Sequence, residues 1–507
     1  MVTEQPADRS ENASPTSEFV VVANRLPMQR VEGAWETSPG GLVRAMLGVL
    51  RDRRGAWVGW NGDTTSPDAL SPDQSPDHEQ LPDLEGIELV SIPLSPQEFL
   101  HHYERISNGA LWPLFHDAIR ESIFDPESWA VYRDVNRRFA VAAAAVAGAG
   151  ATVWVHDYQL LLVPSMVREL RPDVSIGFFL HIPFPPQELF MRMPWREELL
   201  HGVLGADLVG FQRNVGADNF VALAKRIVGA DDHPPSNHRS SHRNDHTLVH
   251  HQGRQVTVGT FPISIDVDEI RHLAAGPETS AAAASLRQRL GNPVTVFLGV
   301  DRLDYTKGID LRLVSFGKLL RARGGAGTPD AVLVQIAVPG REGVDSYIEE
   351  RHAVEQLVGD VNGEHAVIGH PAVHYIRRGL PLEELVPLYM AADVMLVTPR
   401  RDGMNLVAKE FVAARLDDTG VLILSEFAGA ADELTDALVV NPHDPEALLT
   451  AMQQAMAMDP EEISGRMAGL RKVVSEHNVH DWALAFLRTL ASVEPRTDSR
   501  RGDDENG

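Results

Sequence analysis

An α/β fold of two lobes, each built on a parallel sheet and facing the other across a cleft, follows from three features of the sequence. Short apolar runs alternate with helical patterns through most of the chain, the mark of βα units in parallel sheets. The alternation restarts near residue 265. The 507 residues also exceed what one core ordinarily organises.

Composition narrows the function. Hydrophobic residues make up 43% of the chain, an ordinary globular value. A formal net charge of -25 argues against a general nucleic-acid or anionic-membrane binder, while leaving room for a local basic pocket. The absence of cysteine excludes disulfides and thiolate metal sites. The polar start MVTEQPADRSENASP has no charged-then-apolar leader pattern. The longest uncharged run, 139–155, reads as a helix end, a glycine turn and a strand rather than a membrane span. A soluble cytoplasmic protein is expected.

Residues 1–17 carry no apolar period and read as a disordered tail. A first lobe spans 18–264, with strands in EFVVVANRLP, ATVWVHD, SIGFFLHIP, DLVGFQ and QVTVGTFPISID and helices in SMVREL and FVALAKRIVG. The His-, Ser- and Arg-rich segment 231–255 lacks regular ligand spacing and reads as a solvated loop. A second lobe spans 265–478. PVTVFLGVDRLD opens it, GIDLRLVSFGKLLRAR is an amphipathic helix, and AVLVQIAVPG, AVHYIRRGL, DVMLVTPRRDG and GVLILSEFAGA are strands that run into loops. A helix over 479–493 is expected to return to the first lobe, and 494–507 reads as a frayed tail.

The chemistry-bearing residues gather where strands end, the place open α/β sheets bind ligands. In TPRRDGMNLVAKE the chain turns from strand to helix at Asp402 and Gly403. A polar turn with a capping aspartate explains this, and so does an anion site at a helix start. In DRLDYTKG, Arg302 offers a planar fork and Lys307 a mobile point charge, a pair suited to a diphosphate. Gly429 in SEFAGAADEL lets amides approach a ligand at another helix start. Glu410, placed about two turns into the helix after Gly403, is either an exposed helix residue or an acceptor for neighbouring hydroxyls. In the first lobe Arg25 follows a strand, and SPGGL carries Gly40 and Gly41 in a flexible loop. Tyr103 and Trp112 are core aromatics or the lining of a sugar site. His156, Asp157 and His181 stand at strand ends, as does Arg341 in the second lobe.

These stretches, together with GFQ, resemble the trehalose-6-phosphate synthase family, glycosyltransferase family 20, in order and from about residue 18 to 490. The resemblance implies a GT-B fold of two Rossmann-like lobes. It implies a retaining transfer of glucose from a nucleotide sugar to glucose 6-phosphate, in trehalose biosynthesis and osmoprotection. UDP-glucose is the family's usual donor, with GDP- and ADP-glucose as alternatives. On the donor side it assigns glucose hydroxyls to Asp402 and the amides of Gly403, Met404 and Asn405, and the phosphate to the amides of Leu406 and Val407. The ribose falls to Glu410, the leaving diphosphate to Arg302 and Lys307, a sugar contact to His181, and a closing loop to Gly41. The acceptor falls to Arg25, Tyr103, Trp112 and Arg341, with Asp157 near the reacting hydroxyl and Trp60 beside them. No metal or other cofactor is expected, because two cations and helix-start amides meet the diphosphate charge. Homo-oligomers of two or four copies and a separate trehalose-phosphate phosphatase are the expected partners. Within the same fold, a glucosylglycerol-phosphate synthase, a pseudo-glycosyltransferase and a non-catalytic regulatory relative are the alternatives.

Overall fold

The apolar runs become strands buried on both faces. In strand Ser17–Arg25, residues Phe19 to Val22 are all fully buried, as a sheet covered by helices on both sides requires. The computed structural model describes residues 17–31, 34–37, 43, 46, 50, 55–64, 84, 86–233, 246–324, 330–340 and 343–493. The two expected tails, apart from Ser17, lie outside these residues, as do Gly40, Gly41 and Arg341.

The first lobe carries a nine-stranded sheet. Its order is Glu88–Ser91, Gly55–Trp60, Ser17–Arg25, Ala147–His156, Ser175–Phe179, Leu208–Phe211, Arg254–Thr260, Thr247–His251 and Asp231–His233. The first seven are parallel, and the last two are antiparallel. This corrects the reading of 231–255 as a loop. Its described ends are the two antiparallel strands that finish the sheet, Thr247–His251 and, at the edge, Asp231–His233; antiparallel strands need only one buried face and so show no long apolar run. Residues 234–245 lie outside the described residues.

The second lobe carries six parallel strands in the order Val373–Ile376, Ala331–Val338, Thr295–Arg302, Val394–Val397, Val421–Ser425 and Leu438–Val440. The strand order reverses between Thr295–Arg302 and Val394–Val397 in this lobe, and between Ser17–Arg25 and Ala147–His156 in the first. At such reversals the connecting helices leave to opposite faces and open a crevice at the carboxyl ends. Arg302, the loop 398–405, Arg25 and Asp157 all stand at these two crevices.

Helix Val479–Ser492 starts with a reciprocal cap between Asn478 and Asp481 and packs on the first sheet. Its Phe486 ring stacks on Trp154 at 4.4 Å, and its Trp482 indole donates to the Phe261 carbonyl at 3.1 Å. Gly177 and Gly210 make room for it, since a Cβ at either would lie 2.6–2.7 Å from Phe486.

The sequence reading also missed the element that carries Tyr103. Phe99–Leu111 is a π-helix, a wide helix with five-residue hydrogen-bond spacing, entered through a Ser95–Glu98 capping box. Ser107 Oγ donates to the His102 carbonyl and Asn108 Nδ2 to that of Tyr103, side-chain bonds that span five residues. Wide turns of this kind recur at functional sites, and this one carries Tyr103 and delivers Trp112 at its end.

Candidate active site

The second-lobe side of the cleft is built by two loops that clamp each other. Strand Thr295–Arg302 ends with Arg302 exposed to the cleft. A single turn, Tyr305–Lys307, follows, capped by Asp304, whose Oδ1 accepts from the Thr306 amide at 2.9 Å. Gly308 then takes φ 63° with the Thr398 carbonyl only 2.5 Å from where a Cβ would stand. This close passage lets Lys307 reach Asp402, with Nζ 2.6 Å from Oδ2. Beneath them Arg312, fully buried, is held by Asp301 at 2.7 Å, Gln335 at 2.8 Å and Thr398 at 3.2 Å.

Asn405 organises the second loop. At φ 82° it caps helix Leu406–Ala414, its Oδ1 accepting from the Ala408 amide at 3.1 Å while its Nδ2 donates to Asp402 Oδ2 at 3.2 Å. The Leu406 and Val407 amides are among those a helix start leaves without an intrahelical partner. Burial pushes the Asp402 carboxyl up, but the Lys307 ammonium, His116 and the Asn405 amide outweigh it and hold the group below its ordinary value. The helix begins at Leu406 rather than Gly403, so Glu410 is its fifth residue and not two turns in. Glu410 Oε2 accepts from Tyr389 OH at 2.8 Å. Burial, with the Glu410 charge, raises the tyrosine well above its usual range.

The first-lobe side gathers residues from several elements. The Arg25 guanidinium lies 4.7 Å over the Trp60 ring. Tyr103 stands 6.4 Å from Trp60, both beside Phe99. Trp60 is almost wholly buried, so it forms a floor beneath Arg25. Asp157, at φ 74°, accepts the His181 amide on Oδ1 at 3.2 Å. His181 Nε2 is 3.2 Å from His156 Nδ1, and burial lowers the His181 ring to about 3.

The halves meet. Arg302 lies over the Trp112 ring at 5.1 Å. Gly403 touches the first lobe so closely that a Cβ would overlap the His181 carbonyl. Arg213 forks onto Asp432 with two 2.7 Å bonds, and Arg401 reaches Asp117 at 2.7 Å. Lys409, buried, bonds Glu433 at 2.7 Å and the Ile263 carbonyl at 2.9 Å, tying the helix to the inter-lobe connection.

Of the candidates read from the sequence, Arg302, Lys307 and Asp402 through Val407 therefore line one side of the cleft, with Glu410 in the same helix. Arg25, Trp60, Tyr103, Trp112, Asp157 and His181 line the other. Gly41 and Arg341 lie outside the described residues, although Gly343 abuts Glu104 of the π-helix. His116 was missed. It is 4% exposed, stacks on Trp112 at 4.0 Å, and is lowered to about 3 by burial and Lys307 despite Asp304 and Asp402. Its spacing of four residues from Trp112 in WPLFH was the available signal. Asp266 and Asp268, an Asp-x-Asp pair, open a helix instead of a site, with Asp266 Oδ1 accepting from the Glu269 amide. Among the described residues no three His, Cys, Asp or Glu side chains are grouped to hold a metal ion, and no helix is long and apolar enough to cross a membrane.

The family model for glycosyltransferase family 20 matches residues 17–492. The chain is 52% identical over 487 residues to the trehalose-6-phosphate synthase of Mycolicibacterium gilvum, covering 95% of each. It is 50% identical over 491 residues to that of Mycobacterium tuberculosis, covering 95% of this chain and 96% of the relative. Among solved structures, the E. coli protein bound with UDP-2-fluoro glucose superposes with a TM-score of 0.82 at 33% identity, over 94% of this chain and all of that one. An alpha,alpha-trehalose-phosphate synthase from Burkholderia xenovorans in complex with glucose-6-phosphate gives 0.82 at 30% identity, over 93% and 100%.

Proposed function

The chain belongs to glycosyltransferase family 20, with the GT-B architecture of two facing Rossmann-like lobes, and from that premise we propose that it transfers glucose from a nucleoside diphosphate glucose to glucose 6-phosphate. Trehalose 6-phosphate and the nucleoside diphosphate are the products. The observation that carries this reading is the Arg302 guanidinium over the Trp112 ring, which sets a donor-side cation against an acceptor-side aromatic. The relatives named above, solved with a UDP-sugar analogue and with glucose 6-phosphate, support the same pairing of ligands.

Breaking the sugar–phosphate bond leaves negative charge on the diphosphate and positive charge on the ring. Arg302, Lys307 and the amides of Leu406 and Val407 meet the first. Asp402 and the chain from Gly403 to Asn405 hold the glucose, and Glu410 takes the ribose. Lys307 supplies charge already positioned by Asp402, which limits reorganisation during the reaction. Arg25 takes the acceptor phosphate above Trp60, beside Tyr103 and Trp112, and the family resemblance adds Arg341 to it. His181, kept neutral by burial, contacts the sugar without adding charge to a site that develops a cation. Gly41 belongs to the loop that closes over the donor.

Retention follows an internal-return route, in which the leaving phosphate takes the acceptor's proton on the same face. Two carboxylates near a sugar would otherwise suggest a nucleophile. Asp402 is held in the Lys307 and Asn405 bonds, and Asp157 Oδ1 receives the His181 amide. Trapping a glucosyl-carboxylate adduct would refute this route. The family resemblance supports a cytoplasmic setting. An assembly of two or four copies and a separate phosphatase complete the reading, supported by the family resemblance.

The test is nucleotide release from UDP-, GDP- and ADP-glucose, with and without glucose 6-phosphate, and with the sugar product identified. Release that requires glucose 6-phosphate and yields trehalose 6-phosphate, undiminished by a chelator, is expected. Release that requires a smaller phosphorylated acceptor would move the assignment to glucosylglycerol phosphate.

A further inference from the structure

His156 and His181 meet because their strands do. Ala147–His156 and Ser175–Phe179 pair in parallel, with His156 opposite Phe179. The Asp157 amide donates to the Phe179 carbonyl at 2.8 Å, and the Asp157 carboxylate accepts the His181 amide at 3.2 Å. The backbone is thus held on both sides of the point where His156 Nδ1 comes 3.2 Å from His181 Nε2. His156 is 1% exposed and shares its sheet face with Trp154, two residues earlier. Its ring centre lies 4.8 Å from that of Trp154, and the His181 ring centre lies 4.7 Å from Phe179 and 6.1 Å from Trp482. Burial holds both rings well below the usual histidine range, so both are neutral.

One proton lies in the contact between two neutral rings, and its owner decides what each ring does elsewhere. Suppose that His181 Nε2–H donates. His156 Nδ1 then accepts, and His156 carries its proton on Nε2. That nitrogen is buried with no hydrogen-bond partner among the described residues, and so is the indole Nε1 of neighbouring Trp154. An N–H on His156 Nε2 would therefore place a second orphaned donor beside the first, and orphaned buried N–H groups are rare and costly. Suppose instead that His156 Nδ1–H donates. Nε2 is then a bare lone pair, and no second orphaned donor arises. His181 Nε2 accepts, and the His181 proton resides on Nδ1. His181 is partly exposed, and its carbonyl packs on Gly403 of the loop 398–405. Nδ1 is the ring nitrogen left for a ligand held by that loop.

We propose that His156 is a positioning residue for glucosyl transfer: by donating from Nδ1 it holds His181 in the Nδ1–H tautomer and makes that ring a hydrogen-bond donor to an oxygen of the transferred sugar. The partner of one imidazole nitrogen sets the proton on the other. A neutral N–H binds a sugar oxygen without placing a cation beside a ring that becomes positive. The role rests on the reaction assigned to the cleft, whereas the tautomer does not.

Nitrogen NMR of the full-length protein, isotope-labelled at histidine and assigned with His156→Leu and His181→Gln, reads the tautomer without any turnover. A protonated Nδ1 and a bare Nε2 on both rings are expected. A proton on Nε2 of either ring, or a doubly protonated ring at neutral pH, would overturn the proposal. Kinetics tests the role. His156→Leu removes the shared hydrogen bond and frees His181 to change tautomer. The kcat/KM for the nucleotide sugar should fall roughly three- to tenfold, as loss of a neutral hydrogen bond implies, with the KM for glucose 6-phosphate unmoved. His156→Asn, whose amide nitrogen can stand where the imidazole Nδ1 stood, should restore most of that loss. His156→Asp, of the same size but able only to accept, should do no better than His156→Leu. Equal rates in His156→Asn and His156→Asp, or an unchanged kcat/KM in His156→Leu, would reduce His156 to packing and overturn its role. No transfer from any nucleotide sugar, with the tautomer as expected, would overturn the assigned reaction and leave the tautomer standing.

Discussion

Lys307 Nζ stands 2.6 Å from Asp402 Oδ2, so the proposed diphosphate cation and the proposed sugar-binding carboxylate form one ion pair. Both side chains are mostly buried. Removing one partner strands the other, which typically costs about 3 kcal/mol or more. Lys307→Met should therefore lower the melting temperature as well as turnover, the latter on the order of 10²-fold. Lys307→Met with Asp402→Asn should recover much of the stability and none of the activity. Additive stability losses across Lys307→Met, Asp402→Asn and the double variant would show that the pair is not coupled.

Arg302 stacks on Trp112 across the cleft. Arg302→Ala should cut kcat on the order of 10²-fold or more, as loss of a transition-state donor does. Arg302→Lys should rescue little, because a compact ammonium neither forks onto a diphosphate nor stacks as well on an indole. Full rescue by lysine would place Arg302 outside the phosphate site.

Arg25 rests on Trp60 beside Tyr103. Arg25→Ala removes a charge-assisted contact worth about 1.5–3 kcal/mol, which corresponds to roughly 10- to 100-fold in KM for glucose 6-phosphate. The KM for the nucleotide sugar should hardly move. Arg341→Ala should behave alike. An effect confined to the donor KM would reverse the assignment of the two halves.

Gly403 passes against the His181 carbonyl with no room for a Cβ. Gly403→Ala must push the loop 398–405 away from the first lobe. Misplacement by about 1 Å can cost on the order of 10²-fold in rate. Circular dichroism should remain native while kcat falls. Unimpaired turnover would mean that this contact is not kept during the reaction.

His102, His116 and His181 are each lowered to about 3, chiefly by burial. The folded state then keeps them neutral where the unfolded chain takes up protons. Their contribution to stability is complete above the unfolded value of 6.5 and is lost as pH falls from there toward about 3. Each contributes a slope of up to ~1.4 kcal/mol per pH unit in that window. His102 has neither ring nitrogen hydrogen-bonded among the described residues. His102→Leu should flatten the decline in melting temperature between pH 6.5 and 4. An unchanged slope would show that His102 already titrates in the folded protein.

The sequence by itself determined the two-lobed α/β plan. Buried parallel strands such as Thr295–Arg302 are continuous apolar runs, and their loops carry their own signatures in Asp402, Gly403, Arg302 and Lys307. It also determined which residues stand at carboxyl ends, because the order of strand, loop and helix is local. It did not reveal the π-helix at Phe99–Leu111, whose spacing departs from the 3.6-residue period, or the antiparallel strands at Asp231–His233 and Thr247–His251. Only the tertiary structure decided which candidates meet. Arg302 and Trp112 are 190 residues apart, and their contact depends on strand order and on how the lobes face each other. His116 reads as an ordinary histidine until Trp112, Asp304 and Asp402 surround it. The sequence spells out local conformation, while a site made across a cleft is a property of long-range packing that no short window contains.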